Sequence, residues 1–133
     1  SVGIGVVGPE KIDEINILNA TMQAMEDAIA GLTIVPDLAL IDGNCNRGIT
    51  FNNRTVVKGD ALSYNIAAAS IIAKETRDRY MREIASKYPE YGFEVHKGYG
   101  TKAHRDALLK FGPCEIHRKT FLTKILGIKN GRL

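Results

Sequence analysis

Two aspartates stand where a folded chain can hold a carboxylate rigidly. Asp42 directly follows the apolar run Leu38-Ala39-Leu40-Ile41, and Asp60 follows Arg54-Thr55-Val56-Val57-Lys58 after a single glycine. Short runs of this kind, bounded by turn residues, read as strands. Functional groups in open α/β sheets cluster at the carboxyl ends of strands. The eighteen positions from Asp42 to Asp60 leave room for a loop and a return strand, which would bring both carboxylates to one sheet end. Carboxylates brought close repel unless a proton or a cation lies between them. Hard oxygen donors of this type suit Mg²⁺ or Mn²⁺ rather than zinc. Each acid also has a plainer reading. Asp42-Gly43 is a common turn dipeptide, and Asp60 is placed to cap the helix that follows it.

A second stretch with chemical potential is His96-Lys97-Gly98-Tyr99-Gly100-Thr101-Lys102. Glycines on both sides free the Tyr99 ring to stand out from the chain between Lys97 and Lys102. A flat amphipathic ring between two cations suits stacking on a sugar or base while the lysines hold phosphates. An ordinary glycine loop with the tyrosine packed inward is the competing reading. Asp13-Glu14 is the one Asp-Glu dipeptide, but it falls in the first turns of a helix, where acids favour the helix dipole. His96, His104 and His117 have no mutual metal-ligand spacing and are expected to be surface or hydrogen-bonded residues. Arg77, Asp78, Arg79 and Arg82 are accounted for by pairing along a helix face.

The elements that would position these residues can be placed from pattern. Residues 1–7 alternate small and apolar side chains before Gly8-Pro9, which predicts a strand closing into a turn. Pro9 opens a helix. An amphipathic helix is expected from about 19 to 30, with Met22, Met25, Ala28 and Ile29 on one face and Gly31 as its stop. The run 38–41 predicts a strand buried on both faces, 44–53 a polar loop, and 54–58 a second strand. A long alanine-rich helix is expected over 61–87, ended by Pro89 and packed centrally. Residues 92–101 read as a loop and 102–110 as a short helix stopped by Gly112-Pro113. The absence of repeats and linkers predicts one α/β domain over 1–133.

Composition sets the outer bounds. The chain has 133 residues, 44% hydrophobic and 25% charged, which excludes a disordered tail or a fibre. No run of about 18 apolar residues offers a membrane-spanning helix. Cys45 and Cys114 lie far apart without ligand spacing, which predicts a reduced, cytoplasmic protein without structural zinc. Charge is uneven. Residues 1–91 hold 9 Lys/Arg against 12 Asp/Glu, and residues 92–133 hold 9 against 3. A basic final third suggests a polyanionic partner, nucleic acid first, although a solvated basic surface would look the same.

Five stretches together resemble the type-2 ribonuclease H family, ribonuclease HII: LALIDGN at 38–44, VVKGDALSYNIAAA at 56–69, SIIAKETRDRY at 70–80, YPEYGFEVHKGYGTK at 88–102 and GPCEIHR at 112–118. The resemblance runs over nearly the whole chain in the family's order. It implies a ribonuclease H-like mixed sheet flanked by helices with a helical carboxyl-terminal extension. The implied activity is endonucleolytic hydrolysis of the RNA strand of RNA–DNA hybrids, and nicking 5′ of ribonucleotides embedded in duplex DNA. The implied chemistry is two-metal phosphodiester hydrolysis with Mn²⁺ or Mg²⁺. Asp42 and Asp60 match two of the family's four carboxylates, as catalytic and metal-binding residues. Tyr99 matches the tyrosine that packs on the sugar, with Lys58, Lys97, Lys102 and Arg118 as further substrate contacts. The implied protein is a monomer acting on hybrid duplexes and away from membranes.

The resemblance has a gap. The family's amino-terminal strand carries an Asp-Glu pair and a Gly-Arg-Gly triplet that reads the 2′-hydroxyl, and neither is found here. Residues 1–8 match the family's third strand, and Asp13-Glu14 a later helix. The expectation is therefore a fragment that lacks two strands and two carboxylates, and is inactive by itself. The alternatives are a non-catalytic nucleic-acid-binding domain of the same fold, or another nuclease or integrase of the wider superfamily.

Overall fold

The computed structural model describes residues 1–127; residues 128–133, the end of the basic final third, lie outside the described residues. Contacts divide the chain into two compact units, Ser1–Ala73 and Lys74–Leu133, each treated by itself below. The elements in order are α1 (Pro9–Ala30), β1 (Ala39–Asp42), β2 (Asn53–Val56), α2 (Gly59–Leu62), α3 (Tyr64–Lys87), a 3₁₀ turn (Pro89–Tyr91), α4 (Phe93–His96), α5 (Lys102–Phe111) and α6 (Lys119–Leu126). This is a mixed α/β chain with a small parallel sheet.

In the first unit β1 and β2 pair in parallel, with Ala39 opposite Asn53 and Asp42 opposite Val56. The ten-residue loop between them returns the chain to the same sheet edge, so both strands point their carboxyl ends the same way. Met22, Ile41 and Ile49 form the buried centre, with Met25, Ile29, Ala39 and Phe51 packed around it. The methionine stripe read from the sequence therefore faces the core. Asn16 breaks α1 with a positive φ, and its side-chain Oδ1 accepts the backbone N–H of Asn19 at 3.0 Å. That bond caps the second half of the helix, and explains why the pattern reads as two helices meeting near Asn19.

Three expectations are corrected in this unit. Residues 1–7 form no paired strand; Gly3 and Gly5 pack against the backbone of α1. A Cβ on Gly3 would lie 1.9 Å from the Ala28 carbonyl oxygen, and one on Gly5 1.8 Å from that of Ala24. The alternation of glycine there serves close approach to a helix backbone, which mimics the period-two signature of a strand. Strand β1 buries Ile41 alone, while Leu40 remains 38% exposed, so one face of the strand is open. Beside β2, a hollow of about 840 Å³ is lined by Leu40, Arg54, Leu62 and Tyr64, among others. The first half of α3 is likewise open, with Ile71 64% exposed, rather than central.

In the second unit Met81, Ile84 and Ala85 of α3 pack with Tyr91, Phe93 and Leu108. Tyr91 stacks on Phe93 at 5.4 Å and donates its hydroxyl to the Gly112 carbonyl at 2.7 Å. Ile116, Leu122 and Ile125 close this core from the carboxyl-terminal side. Helix α5 matches the expected span within a residue. The loop expected over 92–101 contains one additional helical turn, α4.

Candidate active site and nucleic-acid interface

Asp42 is the last residue of β1, and its Oδ1 accepts the backbone N–H of Gly59 at 2.8 Å. Gly59 opens α2, and Asp60 is the next residue in that turn. The pairing of β1 with β2 makes this possible: Gly43 N–H donates to the Val56 carbonyl at 3.0 Å, so β2 ends beside Asp42. The chain then folds into α2 across the end of β1. Both aspartates are exposed. The parallel pair thus brings Asp60 into the turn that abuts Asp42, as the spacing suggested.

Asp60 is not the cap of the long helix. Ser63 takes that part, its Oγ accepting the Ile66 N–H at 3.4 Å, while Asp60 lies inside α2. The local chain is built tightly around the Asp42–Gly59 bond. A Cβ at Gly59 would meet the Ile66 Cδ1 at 2.5 Å and the Asp42 Oδ1 at 3.3 Å. Lys58 sits just before, exposed and in the left-handed region with φ 55°. Two hard carboxylates at a strand end fit the donor chemistry of Mg²⁺ or Mn²⁺. Among the described residues, no group of three or more His, Cys, Asp or Glu side chains is arranged to hold a metal.

The second unit carries the other candidates. Tyr99 is 67% exposed, which decides against the inward-packed reading. Its loop is bent by two positive φ angles, 52° at Lys97 and 81° at Gly98. Side chains hold the loop backbone at successive positions. Arg77 donates to the Lys97 carbonyl at 2.9 Å, His104 Nδ1 lies 2.9 Å from the Tyr99 carbonyl, and Arg105 donates to the Gly100 carbonyl at 3.3 Å. Arg77 therefore does more than pair along α3, and the i,i+4 bridge to Asp78 comes from Lys74 at 2.8 Å. Lys102 opens α5 and bridges to Asp106 at 2.6 Å. Arg118 lies over the Phe121 ring at 5.1 Å.

The three histidines are hydrogen-bonded, as expected, but they are buried together rather than scattered. His96 stacks on His104 at 4.3 Å, and His104 Nε2 lies 3.0 Å from His117 Nε2. Burial, reinforced by the neighbouring His104, lowers the His117 pKa to about 4, and burial lowers that of His104 as well. Spacing of 8 and 13 residues concealed this cluster, because α4, α5 and the turn before α6 assemble it from three elements. The Asp13-Glu14 dipeptide lies on α1, where Glu14 is bridged by Lys11 at 2.9 Å.

Comparison with known proteins follows the same residues. The family model for ribonuclease HII matches residues 5–124. A ribonuclease HII of Caldicellulosiruptor bescii is 56% identical over 125 residues, covering 94% of this chain and 61% of the relative. One from Chlamydia caviae is 58% identical over 119 residues, covering 90% and 56%. One from Parvibaculum lavamentivorans is 54% identical over 121 residues, covering 90% and 45%. The chain thus spans about half to three-fifths of the length of these curated relatives. Among the described residues, no helix is long and apolar enough to cross a membrane.

Proposed function

The chain belongs to the ribonuclease HII family, and we propose that it supplies part of the catalytic centre and much of the substrate grip of an endoribonuclease. The substrate is the RNA strand of RNA–DNA hybrids and the phosphodiester 5′ of a ribonucleotide embedded in duplex DNA. The observation that carries this reading is the juxtaposition at one strand end of Asp42, pinned by the Gly59 amide, with Asp60.

Asp42 and Asp60 would hold a divalent cation, Mn²⁺ or Mg²⁺, through their carboxylate oxygens. Such cations, when bound, activate water and neutralise charge at the scissile phosphate. The Gly59 N–H holds Asp42 by its Oδ1, so its carboxylate is oriented before any ligand arrives. Two carboxylates fall short of the four that the resemblance implies. The proposal therefore includes further donors from a longer polypeptide, with the 133-residue chain inactive when isolated.

Tyr99 would pack its exposed ring on the sugar at the cut site. Lys58, Lys97, Lys102 and Arg118 would contact phosphates, giving an affinity that falls as salt rises. Placing one domain over 1–133, with 92–133 as its gripping part, remains part of this proposal, as do action as a monomer and a cytoplasmic location. Removing either carboxylate tests the reading: Asp42→Asn or Asp60→Asn in the complete polypeptide should abolish hybrid cleavage while leaving hybrid binding measurable. Unchanged cleavage in both variants overturns it.

A further inference from the structure

Beneath the Tyr99 loop, a chain of hydrogen bonds runs through two histidine rings, and its proton positions follow from its ends. The Tyr99 carbonyl has no proton, so His104 Nδ1, 2.9 Å away, must donate to it. A neutral ring carries one N–H, which makes His104 Nε2 an acceptor. The group facing that atom at 3.0 Å is His117 Nε2, which must therefore donate. His117 Nδ1 is then an acceptor, and the Cys114 backbone N–H points at it from 3.0 Å. The nearer backbone contact, the Cys114 N–H at 3.0 Å, matches the pattern begun at the Tyr99 end, with the Cys114 carbonyl farther off at 3.3 Å. The Cys114 thiol also lies 3.2 Å from that Nδ1, where an S–H is compatible with an acceptor.

His96 anchors the same loop one residue earlier. It accepts the Gly98 N–H at Nδ1, 3.2 Å away, and donates from Nε2 to the Tyr91 carbonyl at 2.7 Å. All three rings are buried, with His104 1% exposed. His104 can accept from His117 only while its Nε2 is unprotonated, and burial lowers the pKa of both His104 and His117.

We infer that His104, itself oriented by His117, is a positioning residue that fixes the Tyr99 backbone so that the exposed ring meets a nucleic-acid sugar at a set place and angle. This inference rests on the nuclease reading given above. The carbonyl that His104 holds belongs to Tyr99 itself, at the outer end of a loop bent by positive φ angles at Lys97 and Gly98. The other end of the relay is the half-buried Cys114, which meets the buried His117.

Two substitutions of His104 separate positioning from packing. An Asn side chain places its amide N–H where histidine has Nδ1, whereas Gln places it where histidine has Nε2. In the complete polypeptide acting on an RNA–DNA hybrid, His104→Gln should raise KM about tenfold with kcat within about threefold. His104→Asn should recover most of that KM, although it is the smaller side chain and leaves more empty space. Adding Tyr99→Ala to His104→Gln should worsen KM no further than Tyr99→Ala alone. Equal KM values for the Asn and Gln variants, with wild-type cleavage intact, overturn the positioning role and leave the nuclease reading standing. A wild-type protein that neither cuts nor binds the hybrid overturns both. Should both variants melt too early to assay, ¹⁵N shifts of the wild-type histidines decide. The Nδ1–H tautomer on His104 supports the relay, and the Nε2–H tautomer overturns it.

Discussion

Asp42 and Gly59 lie 17 residues apart in sequence and are joined by a 2.8 Å hydrogen bond from the glycine amide to the aspartate Oδ1. The bond ties the end of β1 to the start of α2, and so sets the carboxylate of Asp42 against the turn that carries Asp60. Its two partners are the buried backbone amide of Gly59 and the side chain of a strand-end residue. That is the kind of support a catalytic carboxylate needs.

Gly59 allows this approach because it has no Cβ. An added methyl would sit 2.5 Å from the Ile66 Cδ1 and 3.3 Å from the Asp42 Oδ1. The terminal methyl of Ile66 can give way, so Gly59→Ala should cost only about 1 kcal/mol of stability. Displacement of the Asp42 carboxylate should lower hybrid cleavage by about tenfold or more. Thermal melting and initial rates on the same preparation would check both halves; a full rate at lowered stability would speak against the tie.

Two tyrosines eight residues apart should behave oppositely. Tyr91 is buried, stacked on Phe93 and bonded to the Gly112 carbonyl, whereas Tyr99 stands 67% exposed. Tyr91→Ala should cost about 3–5 kcal/mol of stability, as expected for loss of a buried aromatic ring. Tyr99→Ala should leave melting nearly unchanged and raise KM. Denaturant titrations paired with KM measurements read this contrast, and similar stability losses in the two variants would contradict it.

Acid should weaken the second unit over a definite range. His117 is neutral in the folded chain with a pKa of about 4, held down by burial and by His104, against about 6.5 when unfolded. The groups around it are His104 and Cys114 in contact, the Tyr91 ring at 5.1 Å and the Phe93 ring at 5.6 Å, with His96 acting through space. Between these two pKa values the unfolded chain binds the extra proton, so stability falls as pH drops from about 6.5 towards 4 and levels off below. The full loss is on the order of 3 kcal/mol. Melting temperature followed from pH 7.5 to 4.5 should show the decline, and His117→Gln should flatten it.

Much of this was legible in the sequence because the signals were local. Asp42 closes a four-residue apolar run, Tyr99 sits between glycines, and Gly112-Pro113 stops α5. What was hidden depends on contacts distant along the chain. The glycines of residues 1–7 imitate a strand because close packing on a helix also asks for small residues at alternate positions. The cap of α3 is Ser63 rather than Asp60, a choice made by where α2 ends. The relay joins Tyr99, His104 and His117 from α5 and the segments on either side of it, so no spacing rule points to it.

The central claim is that Asp42 and Asp60 act together on a phosphodiester. The direct measurement is cleavage of a DNA duplex bearing a single ribonucleotide, with Mn²⁺ or Mg²⁺, by the complete polypeptide, by its Asp42→Asn and Asp60→Asn variants, and by the 133-residue chain. The account predicts one nick 5′ of the ribonucleotide by the complete polypeptide, a loss of roughly a hundredfold or more in each variant, and no cleavage by the isolated chain. Robust cleavage by either variant, or by the isolated chain, would contradict it.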